Sequence, residues 1–94
     1  MNYIKEINSF YDWIVVHEVN GQRIALWHTI MHVAYQAGKT EGIPISNYLL
    51  QSKSGLSKSA LSRAREWLIM NGRIKIDIRP GKLATMYTII LFNK

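Results

Sequence analysis

The sequence of 94 residues contains no cysteine, only two prolines and no run of about 18 consecutive apolar residues. Without cysteine the protein forms no disulfide and no zinc site built on thiolates. Without a long apolar run it has no candidate membrane-spanning helix, and its first residues lack the basic-then-apolar order of a signal peptide. We therefore expect a cytoplasmic protein with no membrane partner.

Acidic residues are also scarce, since the chain has six of them against twelve lysines and arginines. They are widely separated, and no serine, histidine and acid occur in an arrangement typical of a hydrolase. No glycine-rich phosphate-binding loop occurs either. We therefore expect no enzymatic activity and no cofactor.

The chain has three histidines, and two of them, His28 and His32, have the i, i+4 spacing of a pair of metal ligands on a helix. No carboxylate stands at ligand spacing from this pair, and the third histidine, His17, is distant in the sequence. We expect packing or surface histidines and no metal site.

Positive charge is concentrated in the second half of the chain. Residues 1–42 carry three cations and four acidic residues, whereas residues 43–94 carry nine cations and two acidic residues. The nine cations are Lys53, Lys58, Arg63, Arg65, Arg73, Lys75, Arg79, Lys82 and Lys94. This segregation is typical of a protein that binds a polyanion, although small basic domains without such a partner are also common.

Residues 45–72 predict two helices joined by a tight turn. Ser46 has the side chain of a helix N-cap, and Tyr48–Leu50 supply apolar contacts for the first helix. Gly55 can leave that helix through a left-handed conformation without steric cost. Leu56 then follows as a residue that we expect to enter the core.

The second helix of this pair is predicted to begin after its N-cap Ser57 and to end at Asn71-Gly72. Its apolar residues repeat at helical spacing and form an inward stripe of Leu61, Ala64, Leu68 and Ile69. Its outward face carries Lys58, Ser59, Ser62, Arg63 and Glu66. Small hydroxyls between cations suit close approach to a phosphate backbone and to base edges.

Two further helices are predicted in the first half of the chain. Residues 22–37 give the strongest helical pattern, which we expect to form the central buried helix and to stop at Gly38. In residues 1–19 the apolar residues at helical spacing are Ile4, Ile7, Phe10 or Tyr11, and Ile14. Four further apolar residues lie off that stripe, namely Tyr3, Trp13, Val15 and Val16. This helix either packs tightly within its own domain or forms a dimerisation element.

The remaining segments predict strands. Residues 42–45 contain a proline and favour a short extended piece that can pair beside a C-terminal hairpin. Residues 73–79 alternate strictly between apolar and charged side chains, with Ile74, Ile76 and Ile78 on one side, which predicts a strand. Pro80-Gly81 then favours a type II turn in a loop that runs to Thr85. Residues 86–92 are rich in β-branched and aromatic residues and predict the returning strand.

A helix pair followed directly by a β-hairpin is the order of elements in a winged helix-turn-helix. We therefore predict one α+β domain over residues 1–94, mainly helical, with residues 45–72 as the helix-turn-helix and residues 73–92 as the hairpin wing.

Four segments of the chain resemble a known family: Ile7–Trp13, Ile24–Gly38, Gly55–Ile74 and Met86–Ile89. The chain is similar to the N-terminal winged-helix domain of phage replisome organisers and DnaD-like replication proteins of Gram-positive bacteria and their phages. This resemblance implies origin-DNA binding, self-association as a homodimer or higher homo-oligomer, or both. It also implies the cytoplasm of a bacterial host cell and other replisome proteins as partners.

The leading hypothesis is binding of double-stranded DNA in replication initiation, with the helix after Ser57 in the major groove. The candidate DNA-binding residues are Ser46, Asn47, Ser57, Lys58, Ser59, Ser62, Arg63, Arg79 and Lys82. Arg63 is the best candidate for bidentate readout of guanine, and the start of the first helix can offer backbone amides to a phosphate. Arg73 and Lys75 are weaker candidates, and Arg65 is left unassigned.

Two alternatives remain open at this point. One is a self-association or protein-interaction module of the replisome with little affinity for DNA, which the surplus apolar residues near the N-terminus favour. The other is a transcriptional regulator with the same winged-helix fold, because the helix pair alone does not distinguish repression from origin binding.

Overall fold

The computed structural model describes residues 1–93, which form four helices and three short strands. The elements in chain order are α1 (Tyr3–Ile14), α2 (Gly21–Ala37), β1 (Ile43–Pro44), α3 (Asn47–Ser54), α4 (Lys58–Met70), β2 (Ile74–Asp77) and β3 (Met86–Ile89). The prediction of a mainly helical α+β domain is confirmed. Within residues 1–93 no helix is both long enough and apolar enough to cross a membrane.

The boundaries of the helix pair follow from local hydrogen bonding. Ser46 accepts from the backbone N–H of Leu49 at 3.1 Å, and Ser57 accepts from the N–H of Ala60 at 3.2 Å. Gly55 ends α3 with a φ of 74°, a conformation that costs glycine little and other residues more. These two caps and this helix end are as predicted, because all three depend on neighbours within one turn.

The three strands form an antiparallel sheet in the order β1-β3-β2, so that β3 lies in the centre. Tyr87 on β3 pairs with Ile43 on one side and with Ile76 on the other. The predicted pairing of a short strand beside the hairpin is therefore confirmed.

Both hairpin strands are shorter than predicted, and side-chain hydrogen bonds lie near both ends of the hairpin. After the pair Asp77 and Met86, the ladder stops and Arg79 Nε donates instead to the carbonyl of Ala84 at 2.9 Å. At the other end, the backbone amides of residues 92 and 93 donate to the carboxylate of Glu6, each at 2.8 Å. The amide of residue 92, at the predicted end of the second strand, is therefore not available to a strand ladder.

The core lies around α2, which buries Leu26, Trp27, Ile30, Met31 and Ala34. α4 packs mainly on α2, and β2 packs on α4. The prediction of α2 as the central buried helix, ended by Gly38 in a left-handed conformation, is confirmed.

Helix α1 contacts the core through long aromatic side chains. Phe10 stacks on Trp27 with ring centroids 3.9 Å apart, and Trp13 meets the edge of Trp67 at 5.7 Å. This stacking sets the rotation of α1, so the predicted inward stripe is wrong at Ile4, which is 70% exposed. Glu6 is buried in its place and holds the C-terminal segment.

Three other apolar residues lie outside the core, contrary to prediction. Tyr48 in α3 is 81% exposed, Ile69 in α4 is 37% exposed, and Ile78 is 76% exposed. Ile69 stands one residue from the fully buried Leu68, and Tyr48 stands two residues from the fully buried Leu50, so a rotation of about 100° per residue turns both side chains away. Ile78 follows the last paired residue of β2, so no partner strand covers it.

The stacked pair of Phe10 and Trp27 predicts a large difference between two substitutions in α1. Phe10→Ala should lower the free energy of unfolding by about 3–5 kcal/mol, because it leaves a cavity beside Trp27. Ile4→Ala should change it by less than about 0.5 kcal/mol, because Ile4 is exposed. Urea denaturation followed by tryptophan fluorescence measures both, and equal losses would contradict the rotation of α1 described above.

Candidate nucleic-acid interface

The exposed face of α4 follows from the narrow stripe that the helix buries. Leu61, Ala64 and Leu68 are at most 2% exposed, and they occupy one side of the helix. The solvent-exposed part of the helix carries the polar residues Lys58, Ser59, Ser62, Arg63 and Glu66, and its C-terminal end also exposes Ile69 and Met70. The five polar residues predicted for the outward face are therefore exposed, but the last turn adds apolar surface that was not predicted.

Five of the candidate residues line one shallow, open depression, namely Ser57, Lys58, Ser59, Ser62 and Arg63. It contains two cations and three hydroxyls, and no acidic side chain lines it. The hydroxyl of Ser57 is engaged as the helix cap and lies 3.5 Å from that of Ser59. The first turn of α4 thus presents hydrogen-bond donors and positive charge on one surface, which suits an anionic ligand.

Ser46 and Asn47 lie exposed at the start of α3, and the oxygen of each side chain accepts a hydrogen bond within the protein. The Ser46 hydroxyl caps α3, and the Asn47 Oδ1 atom accepts from Arg65 Nη1 at 2.9 Å. The backbone amides of Asn47 and Tyr48, in the first turn, have no carbonyl partner within the helix. An anion at this segment can therefore meet donors from both the backbone and the side chains, since the Ser46 O–H and the Asn47 Nδ2 amide take no part in these two bonds.

Arg65, to which the sequence assigned no role, has a defined position in the structure. Its Nη1 atom donates both to Asn47 Oδ1 and to the hydroxyl of Tyr87, each at 2.9 Å. Because Tyr87 is fully buried, its hydroxyl needs a partner, and Arg65 supplies it. One guanidinium therefore connects α4 with the start of α3 and with the central strand of the sheet.

The loop between β2 and β3 carries Arg79 and Lys82. Arg79 is half-buried and holds the loop closed through its bond to Ala84, whereas Lys82 is exposed. The base of this loop, at Ile78 and Thr85, lines a groove of about 260 Å³ together with Ser62 and Glu66 of α4 and other residues. The loop base thus lies beside the exposed face of α4.

Three cations of the basic half lie away from that face. The guanidinium of Arg73 lies beside two rings, with Cζ 3.8 Å from the Phe92 centroid and 5.4 Å from that of Trp13. Burial lowers the pKa of Arg73, and the nearby charge of Glu6 opposes that shift. Lys75 lines a different depression, and Lys53 Nζ lies 3.1 Å from a ring nitrogen of His32. The charge count of residues 43–94 therefore overstates the charge that converges on one surface.

Conversely, one cation from the first half joins the α4 surface. The Cζ atom of Arg23 lies 4.5 Å from the ring centroid of Trp67, and its Nη1 atom donates to the backbone carbonyl of Glu18 at 2.6 Å. Arg23 lines a depression together with Arg63 and Glu66. The sequence offered no signal for this placement, because Arg23 belongs to the half without excess positive charge.

The two histidines at metal-ligand spacing contact other side chains. His28 Nε2 lies 3.1 Å from the hydroxyl of Tyr11, and burial lowers the pKa of His28. His32 lies beside Lys53. Among residues 1–93 no group of three or more histidine, aspartate or glutamate side chains is placed to hold a metal ion.

Comparisons with protein-family models, curated proteins and solved structures give no match to this chain. The resemblance to replication proteins therefore stays a prediction based on the four quoted segments.

The contact between Arg65 and Tyr87 predicts that Tyr87→Phe lowers the free energy of unfolding by about 1.5 kcal/mol, because a buried hydrogen bond to a charged group is lost. Tyr35→Phe is the matched control, since Tyr35 is 60% exposed and should change stability by less than about 0.5 kcal/mol. Urea denaturation measures both, and indistinguishable variants would argue against the bridging role of Arg65.

Proposed function

We propose that this protein is a winged-helix domain that binds double-stranded DNA. The observation that carries the proposal is the depression at the start of α4, where two cations and three hydroxyls meet without an acidic side chain. The order of elements from α2 to β3 supports the winged-helix assignment, as does the position of the β2–β3 loop base beside α4.

In this proposal α4 enters the major groove, whose width of about 12 Å accommodates one helix. Arg63 is exposed and its planar guanidinium suits bidentate hydrogen bonding to guanine. Lys58 and the serines at positions 57, 59 and 62 contact phosphates or base edges.

The other candidates contact the DNA backbone on either side of α4. Lys82 on the loop reaches the phosphates or the minor groove, and Arg79 contributes through the guanidinium nitrogens that do not bond to Ala84. The first-turn amides of α3 contact one phosphate, held in place by the bond between Asn47 and Arg65.

The biological role that we propose is origin recognition in phage or plasmid-type replication initiation. It rests on the resemblance of Ile24–Gly38 and Gly55–Ile74 to replication proteins. Selection of preferred duplexes from a random pool, followed by footprinting, separates this role from transcriptional regulation, because clustered origin repeats and a promoter operator differ in layout.

Duplex binding should depend steeply on salt and on α4. If the domain neutralises about five to eight phosphates, the slope of log affinity against log salt is about −0.9 per contact. Arg63→Ala and Lys58→Ala should each weaken binding about five- to tenfold at 0.1 M salt and make the slope less negative by about 1. Fluorescence anisotropy with a labelled duplex measures both quantities.

Lys75→Ala is the matched control, because it removes one cation from the same half of the chain but lies away from α4. It should leave affinity within about twofold of the unaltered protein, since only long-range charge is lost. Binding that is insensitive to salt and to both α4 substitutions would refute the proposal.

A second candidate function, self-association, is supported by the outer side of α1. Ile4, Tyr11 and Val15 are 70%, 45% and 81% exposed and share one side of the helix at i, i+7 and i+11. Val16, next to them, is 79% exposed. An apolar stripe of this kind is typical of an interface between protein chains.

Self-association through α1 predicts that Ile4→Ser combined with Val15→Ser converts an oligomer to a monomer, because both changes remove exposed apolar surface without touching the core. Multi-angle light scattering measures the mass with and without duplex. Leu83→Ser is the control, since Leu83 is 57% exposed in the β2–β3 loop. A monomeric unaltered protein at high concentration would exclude this second function.

A further inference from the structure

We propose that Arg23, at the start of α2, is a phosphate-binding residue, so that the nucleic-acid surface of α4 continues onto α2. The inference rests on the proposed DNA binding and extends it to a residue outside the predicted site. It assigns to Arg23 a contact with the backbone of duplex DNA and no part in reading bases.

The first support is that Arg23 is held in place by two neutral groups. Its guanidinium lies 4.5 Å from the ring centroid of Trp67 and donates to the backbone carbonyl of Glu18. A ring and a carbonyl orient the side chain but carry no formal negative charge, so the positive charge stays available for an anion. Because the Arg23 side chain is already ordered, binding of a phosphate loses less conformational entropy than it would with a mobile side chain.

The second support is the position of Arg23 relative to Arg63. Trp67 follows Arg63 by one turn of α4, and one turn rises about 5.4 Å. Arg23 and Arg63 line the same depression of about 380 Å³, together with Ser62, Glu66, Trp67 and Met70. Because both arginine side chains line one depression, their guanidinium groups can contact the same stretch of a DNA strand.

Glu66 is the one acidic residue that lines this depression, and it limits where a phosphate can sit. Its carboxylate repels an anion that enters between the two arginines. Removing that charge should strengthen binding if the depression receives a phosphate. If the depression faces away from DNA, Glu66→Gln should have no more effect than any other distant change of one charge.

The deciding experiment compares Arg23→Gln with Lys39→Gln by fluorescence anisotropy on the same labelled duplex at several salt concentrations. Both substitutions remove one positive charge, and Lys39 is exposed two residues beyond the opposite end of α2, which rises about 21 Å between Arg23 and Ala37. We expect Arg23→Gln to weaken binding about five- to tenfold at 0.1 M salt and to reduce the salt slope by about 1, with Lys39→Gln within about twofold of the unaltered protein.

Two further variants separate phosphate binding from a structural role. Arg23→Lys keeps the charge and should retain the salt slope, whereas Glu66→Gln should raise affinity about two- to fivefold at low salt. The thermal midpoint of each variant is measured alongside. If Arg23→Gln lowers the midpoint but leaves the salt slope unchanged, Arg23 only packs against Trp67 and the inference is overturned.

The outcomes also separate this inference from the proposed function. If Arg63→Ala weakens binding while Arg23→Gln behaves like Lys39→Gln, the interface stops at α4 and the inference alone is wrong. If the unaltered protein shows no salt-dependent duplex binding, the proposed function is wrong and the inference falls with it.

Discussion

The burial of one narrow stripe of α4 against α2 is the constraint on which the rest of the candidate site depends. Leu61, Ala64 and Leu68 occupy one side of the helix and are buried, and α4 packs mainly on α2. Once this side is buried, the opposite side has to face solvent, and it carries the cations and hydroxyls. The Arg65 bridge then ties the buried side to α3 and β3, so the orientation of the polar face is set by contacts beneath it.

The cationic side chains of this protein have two different roles, and the groups that each side chain contacts show which role it has. Arg65 bonds to a buried hydroxyl, and Arg73 lies over the ring of Phe92 with its pKa lowered by burial. Both stabilise the packing of distant segments. Lys58 and Arg63 are exposed on α4, and Arg23 is oriented by neutral groups at its edge. A net charge alone does not separate these roles, since each arginine counts equally in it.

Sequence reasoning succeeded for the helix caps, the turn at Gly55, the central place of α2 and the outward face of α4. It was wrong about the rotation of α1, because periodicity shows that a helix has an apolar side but not which of two adjacent apolar rows packs inward. The stacking of Phe10 on Trp27 decides that choice, and it exposes Ile4 while burying Glu6. It was also wrong about strand lengths, and it did not foresee that Glu6 binds the amide of residue 92, at the predicted end of the second strand.

The sequence by itself determined the local features of this protein: where helices begin and end, which side of α4 is polar, and that a hairpin follows it. These depend on residues within one or two turns of each other, so a local pattern is sufficient to predict them. The tertiary structure alone decided which cations share a surface, because the contacts of Arg23 with Trp67 and of Arg65 with Tyr87 join residues far apart in the chain. Such contacts follow from how the elements pack on one another, and no local pattern records that packing.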